Sequence, residues 1–349
     1  MVRLSLLLLA GCAVAAAAIA QGPPGIRDPR PAPARPNVLP LPPAVIDNSL
    51  AIEGENINAR KINTRMTVDV HLNDRGPYRF LVDSGADTSV IGLRVAGALQ
   101  LPVGTPVVLN GMTARNIVDR VRVDRLRLGS TSFSGLQLPA LREEHLGGDG
   151  IIGIDALVQQ RLLMDFEKRT IKVEDARVPY KALPGEIVVT ARRKRGQLIL
   201  TEVKAAGLPL DAVVDTGSEI TIGNMALRNK IAKRARDKLM SVTATGVTGE
   251  TVTLQLAVLA ELELGSVTLT NVPVAFADLP PFDIFGLSKE PALLLGTDVL
   301  DTFRRVSLDF GGRKVRFQLR RCGSNPVTIS TMASSVSRVT STDELVCRR

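Results

Sequence analysis

Apolar and polar residues alternate in short runs over most of the chain. Arg65–Leu72 (RMTVDVHL) and Val121–Leu128 (VRVDRLRL) are examples, broken by Gly, Asn and Asp. This period of two marks half-buried strands joined by tight turns, with few helices. Two runs end unusually. The apolar Phe80–Val82 closes on Asp83-Ser84-Gly85-Ala86-Asp87, and Ala212–Val214 closes on Asp215-Thr216-Gly217-Ser218-Glu219. A carboxylate at the end of a buried strand is costly to ionise, and the chain places one there twice.

The repetition extends well beyond these loops. ENINARKINTRMTVDVHLNDRGPYRFLVDSGA (Glu55–Ala86) aligns with EIVVTARRKRGQLILTEVKAAGLPLDAVVDTGS (Glu186–Ser218), each predicting a hairpin with a glycine turn at Gly76 or Gly207. Downstream, VRVDRLRLGSTSFSGLQLPAL aligns with VLAELELGSVTLTNVPVAF, and DGIIGIDAL with ALLLGTDVL. LLMDFEKRTIKV aligns with VSLDFGGRKVRF, a terminal hairpin turning at Glu167-Lys168 or Gly311-Gly312. Asp83 and Asp215 lie 132 positions apart. The interval from Asp83 to Gly153 is 70 residues and from Asp215 to Gly296 81. Much of the excess falls in LPPFDIFGLSKEP (Leu279–Pro291), read as a loop insertion. A duplicated, mostly β unit is the economical reading, and short strands with regular turns point to barrels or sandwiches.

Asp-Ser-Gly-Ala-Asp and Asp-Thr-Gly-Ser-Glu, each after an apolar strand and followed by an apolar-apolar-Gly segment, resemble the active-site loops of retropepsin-like aspartic proteases. The resemblance runs from about residue 55 to 320 and is nearest to exported bacterial proteins with an aspartyl protease repeat. It implies a mostly β fold of two acid-protease barrel lobes related by a pseudo-twofold axis. It also implies a dyad of Asp83 and Asp215 that shares a proton and activates water. By the same resemblance Ser84 and Thr216 bond across to the opposite loop, while Gly85 and Gly217 let backbone N–H groups approach the carboxylates. Ala86, Asp87, Ser218 and Glu219 stand where substrate backbone is anchored, Glu219 one methylene longer than the usual residue. VVLNGMTARNIV (Val107–Val118) and VTATGVTGETVTL (Val242–Leu254) stand where flaps belong, with Gly111, Gly246 and Gly249 giving mobility; plain surface hairpins are the competing reading. Neither carries the tyrosine of pepsin-type flaps.

The expected substrate is a polypeptide bound as a strand between the lobes. No cofactor or metal is implied, and one chain suffices for a complete site. The alternative is a peptide-binding or assembly module that keeps the fold without turnover. Asp-Ser-Gly and Asp-Thr-Gly also make ordinary turns, but two copies in one duplicated frame weigh against that.

Composition removes other chemistries. The histidines, His71 and His145, are too far apart for a helical metal pair, and no cysteine lies inside either repeat, which excludes a thiol nucleophile or a cysteine zinc site there. Aromatics make up 3% of the residues, with no Trp, so the core is mainly Val, Leu and Ile. The net charge of +9 raises the question of an anionic partner. ARRKRG (191–196) and LRNKIAKRARDK (227–238) lack interleaved aromatics, so they read as solvated surface and not as a nucleic-acid platform.

The first 20 residues have the layout of a secretory signal, with Ala18-Ile19-Ala20 before Gln21. Leu9–Cys12 (LAGC) offers a second reading, a lipoprotein signal ending before Cys12, and membrane attachment is expected only in that case. Both imply export, to the periplasm or beyond in a bacterium. Residues 21–50 are read as a proline-rich tether that forms no packed element. Lobes are expected at 51–178 and 179–321, with a Ser/Thr-rich tail at 322–349. Cys322 and Cys347 are able to pair in an oxidising compartment or to remain free thiols.

Overall fold

Strand Arg65–Leu72 shows how the alternating pattern becomes a wall. Met66, Val68, Val70 and Leu72 are at most 1% exposed, while Asp69 and His71 keep contact with solvent. The computed structural model describes residues 25–34, 38–41, 55–62, 65–129, 131–157, 160–232, 240–320 and 339–340.

Each repeat closes a six-stranded barrel. In the first, Arg75–Val82 pairs with Arg65–Leu72, which pairs with Arg120–Leu128, and that with Thr131–Leu141. Thr131–Leu141 runs parallel to Val90–Gly92, and Gly150–Ile152 closes the ring between Val90–Gly92 and Arg75–Val82. In the second, Leu208–Val214, Gln197–Ala205, Thr251–Leu264, Val267–Phe276, Ile222–Gly223 and Ala292–Leu295 follow the same order. Closure leaves no free sheet edge within either barrel.

The predicted hairpins form, with one correction. The first turns at Asn73-Asp74, both at positive φ (48° and 63°), and not at Gly76, which lies inside Arg75–Val82. The second turns at Ala206-Gly207 (49° and 75°). Two consecutive left-handed residues match the twist of the flanking strands, and Asn and Asp tolerate that conformation nearly as glycine does.

A further sheet joins the repeats. Its order is Glu55–Ile62, Thr170–Asp175, Gln160–Asp165, Arg305–Asp309, Lys314–Gln318, Glu186–Lys194, three strands from each side. The central pair is antiparallel, with Arg161 opposite Asp309 and Asp165 opposite Arg305. Both oppositions are ion pairs, Arg161–Asp309 at 3.3 Å and Arg305–Asp165 at 2.6 Å, so the two halves meet with twofold-like symmetry.

The expectation that residues 21–50 form no packed element is overturned where they are described. Arg30–Pro31 adds an antiparallel strand to Arg115–Val118, and Pro40 bridges to Val108. A flap strand with an unpaired edge accepts a neighbour even from a proline-rich segment, because an extended backbone already suits it. The leader at 1–20, Cys12, Cys322 and Cys347 lie outside the described residues. No described helix is long and apolar enough to cross a membrane.

Candidate active site

The two acidic loops are set by the barrels' parallel strands. Asp83 directly follows Arg75–Val82, and its N–H donates to Ile152 O at 2.9 Å. Asp215 directly follows Leu208–Val214, and its N–H donates to Leu295 O at 3.0 Å. Behind each loop, the backbone passes so near a glycine that a side chain has no room. A Cβ on Gly153 would lie 2.5 Å from the Thr88 carbonyl carbon, and one on Gly296 2.5 Å from that of Ile220.

The loops then lock to each other. Ser84 Oγ donates to Val214 O (2.8 Å) and Thr216 Oγ1 to Val82 O (2.9 Å). The Ser84 amide donates to Thr216 Oγ1 (2.9 Å), and the Thr216 amide to Ser84 Oγ (3.1 Å). Both residues are at most 1% exposed. Every donor in this four-bond knot crosses between repeats, so neither loop holds this geometry alone.

The knot brings the carboxyl groups of Asp83 and Asp215 within hydrogen-bonding reach of each other. Asp83 Oδ1 accepts from the amides of Gly85 (2.8 Å) and Ala86 (3.0 Å), and Asp215 Oδ1 from Gly217 (3.0 Å) and Ser218 (3.1 Å). The glycines are again required, since a Cβ on Gly217 would fall 2.2 Å from Asp83 Cγ and one on Gly85 2.7 Å from Asp215 Oδ1. Burial pushes both acids up, and for Asp215 the adjacent Asp83 charge adds to it. The loop amides and the Arg65 charge partly oppose this at Asp83. Asp215 is 7% exposed, whereas Asp83 keeps more of its surface open. Two carboxyl groups this close in a buried site favour a shared proton, and the Asp83 charge acts to raise Asp215.

Above the dyad lies a cleft of about 170 Å³. Val90, Leu109 and Ile151 line one side, and Val213, Ile284 and Leu294 the other. Both predicted flaps are hairpins, Val107–Asn110 with Arg115–Val118 and Met240–Thr245 with Thr251–Leu264. Their tips exchange sides. Met112 packs on the second repeat's apolar cluster and Val247 on the first repeat's. Gly111 lines the cleft, Gly246 abuts Thr113 of the other tip, and Gly249 approaches His145. Asn116 donates to Glu250 at 2.5 Å, linking the hairpins.

Other expected residues divide. Ala86 and Asp87 line the cleft. The Asp87 carboxylate is held from the opposite repeat by Arg195 at 3.1 Å and by Gln197. Glu219 pairs with Arg65 at 2.8 Å, again across the repeats, and Ser218 Oγ turns to Ile220 O. Arg195, read as solvated surface, is exposed and also lines the cleft. Residues 279–291 are more than a loop: Pro280–Ile284 is helical, Phe282 is buried at 1%, and Phe285 lines the cleft.

Sequence reasoning assigned no role to Asp155 and Asp298. Asp155 accepts from the Ser89 amide (2.9 Å) and hydroxyl (2.7 Å), and Asp298 from the Thr221 amide (3.0 Å) and hydroxyl (2.7 Å). They pin the segment after each dyad loop to the strand that supports it. The usable signal was an Asp two places after Gly153 and Gly296 in both repeats. Among the described residues, no three His, Cys, Asp or Glu side chains converge as a metal site needs.

A family model described as aspartyl protease matches residues 68–156 and again 201–299. A search of curated proteins finds no match.

Proposed function

We propose that this chain, which belongs to the aspartyl protease family, is an endopeptidase whose dyad is Asp83 and Asp215. The observation that carries the reading is the pair of carboxyl groups, Asp215 buried and Asp83 half-buried, within reach of one proton and each fed by two loop amides. Asp83, nearer to Arg65 and more open, is ionised and takes a proton from a water held between the acids. The water oxygen forms a bond to the peptide carbonyl carbon, and protonated Asp215 gives its proton to the carbonyl oxygen. The tetrahedral adduct then collapses. The C–N bond breaks, the proton held by Asp83 passes to the leaving nitrogen, and a hydroxyl of the adduct returns a proton to Asp215, freeing an acid and an amine and restoring the dyad. The apolar walls and flap tips exclude bulk water, which strengthens each of these electrostatic steps.

The reading extends to an extended peptide substrate and to a site complete in one chain, since all the groups named come from its own two repeats. Export is proposed from residues 1–20 alone. The test is cleavage of a denatured protein across acidic to neutral pH, with and without pepstatin. Wild type should cut and be inhibited, and Asp83→Asn and Asp215→Asn should each lose at least about 10³-fold in kcat while keeping the wild-type melting profile. Peptide binding without cleavage under every condition would instead establish a non-catalytic module.

A further inference from the structure

Residues 25–34 and 38–41 clasp the first flap on both edges. Arg30 and Pro31 stand opposite Ile117 and Asn116, and the Ala32 amide donates to Arg115 O at 3.0 Å. On the other edge, the Val108 amide donates to Leu39 O at 2.8 Å, and Val108 O accepts from the Leu41 amide at 2.9 Å. The first part is firmly anchored. Asp119 is 2% exposed and receives the Arg27 amide (2.9 Å) and two guanidinium nitrogens (2.8 and 3.0 Å). Burial pushes the Asp119 carboxyl up, but these bonds outweigh it and hold it below its ordinary value. Asp28 adds an ion pair to Arg142 at 2.5 Å.

The second part is held differently. Leu39 is 78% exposed, and Leu41 is partly buried. Among the described residues, two backbone bonds to a single flap residue fix this stretch, yet the Leu41 side chain lines the same cleft as Asp83 and Asp215. There it packs on the cluster of Leu81, Val90, Leu109 and Ile151. We propose that Leu39–Leu41 is a built-in occupant of the peptide cleft, filling a subsite for an aliphatic side chain that an incoming strand must take from it. This rests on the reading of the cleft as a peptide site.

Three features suit an occupant that yields. Its anchor at Arg27 is independent of its contact at Leu41, so the cleft end can leave while the anchor stays. Attachment to the same chain raises its local concentration, so two backbone bonds and one side chain suffice to compete. A proline stands on each side of Leu41 in sequence. Proline offers no N–H and makes the adjoining bond a tertiary amide, so this segment binds like a substrate strand without presenting an ordinary scissile bond.

The test uses the full chain, wild type against Leu41→Asp, with Leu41→Met as the volume-conserving variant. With a peptide carrying central leucines, Leu41→Asp should lower KM about tenfold and leave kcat within twofold, while Leu41→Met behaves as wild type. Amide hydrogen exchange supplies the second readout. The Val108 and Leu41 amides should exchange faster in Leu41→Asp, and in wild type once pepstatin saturates the cleft. An unchanged KM, together with Leu41 protection that pepstatin does not alter, overturns the occupant and leaves the enzyme standing. If no protein cuts any peptide, the enzyme reading fails, and exchange still decides occupancy: freed Val108 and Leu41 amides in Leu41→Asp support it, and unchanged protection overturns it.

Discussion

Asp83 and Asp215 have equivalent loops but unequal surroundings, and a pH profile should show it. The proposed cleavage needs one proton on the pair, so kcat/KM should fall on the alkaline side only as pH rises through the raised value of Asp215, well above the ordinary carboxylate range. A decline already complete near pH 4 would mean that the acids do not share a proton. Asp298 makes a separate claim on stability. Burial, against the opposing bonds of Thr221 and Val299, lifts it from 3.8 to about 6. An acid raised by folding binds more protons in the folded state. Its contribution is therefore complete below pH 3.8 and is lost as pH rises through about 6. Denaturation of wild type and Asp298→Asn at pH 4 and pH 7 should show the wild type losing up to about 3 kcal/mol relative to the variant. A gap that stays constant with pH would contradict the shift.

At the scale of elements, each dyad loop depends on a glycine at its back. Gly296→Ala forces a Cβ to 2.5 Å from Ile220 backbone, which has no flexible end to move. About 2–3 kcal/mol of destabilisation is expected in chemical denaturation. Gly97→Ala is the control. It lies in helix Leu93–Ala98 with nothing within 4 Å of the added carbon, so it should be neutral or gain up to about 1 kcal/mol. The hairpins and their pairing were legible because period-two alternation and turn residues are local signals. The tip exchange of Met112 and Val247 was not, because nothing in a flap's own residues says which barrel its tip will cover. The turn at Asn73-Asp74 is hidden for a simpler reason: a glycine, the stronger turn signal, stands at 76 beside two residues that also tolerate positive φ.

For the whole molecule, the central sheet decides whether the acids meet at all. Arg161 and Asp309 have side chains 4% exposed, and Arg316 also reaches Asp309, at 3.2 Å. Tyr180 lies beneath both guanidinium groups, at 4.8 and 4.1 Å from ring centroid to each carbon. Asp309→Ala leaves two cations without their shared anion, and should cost about 3–5 kcal/mol in denaturation. The double change Asp309→Leu with Arg161→Met should recover part of that, since it removes a buried charge along with its partner. The repeated Arg-x-x-x-Asp at 161–165 and 305–309 was visible in the sequence. Its meaning was not, because each arginine answers the aspartate of the other copy.

The sequence alone determined the duplicated β frame and the two acidic loops, because strand periodicity and an Asp-hydroxyl-Gly turn are written in consecutive residues. Only the tertiary structure decided what crosses between the copies: the Ser84–Thr216 knot, the hold of Arg195 and Gln197 on Asp87, and the pairing of Arg65 with Glu219. Those contacts join residues from different strands and different repeats. Their partners are chosen by barrel closure and by the twofold-like packing, which no local pattern encodes.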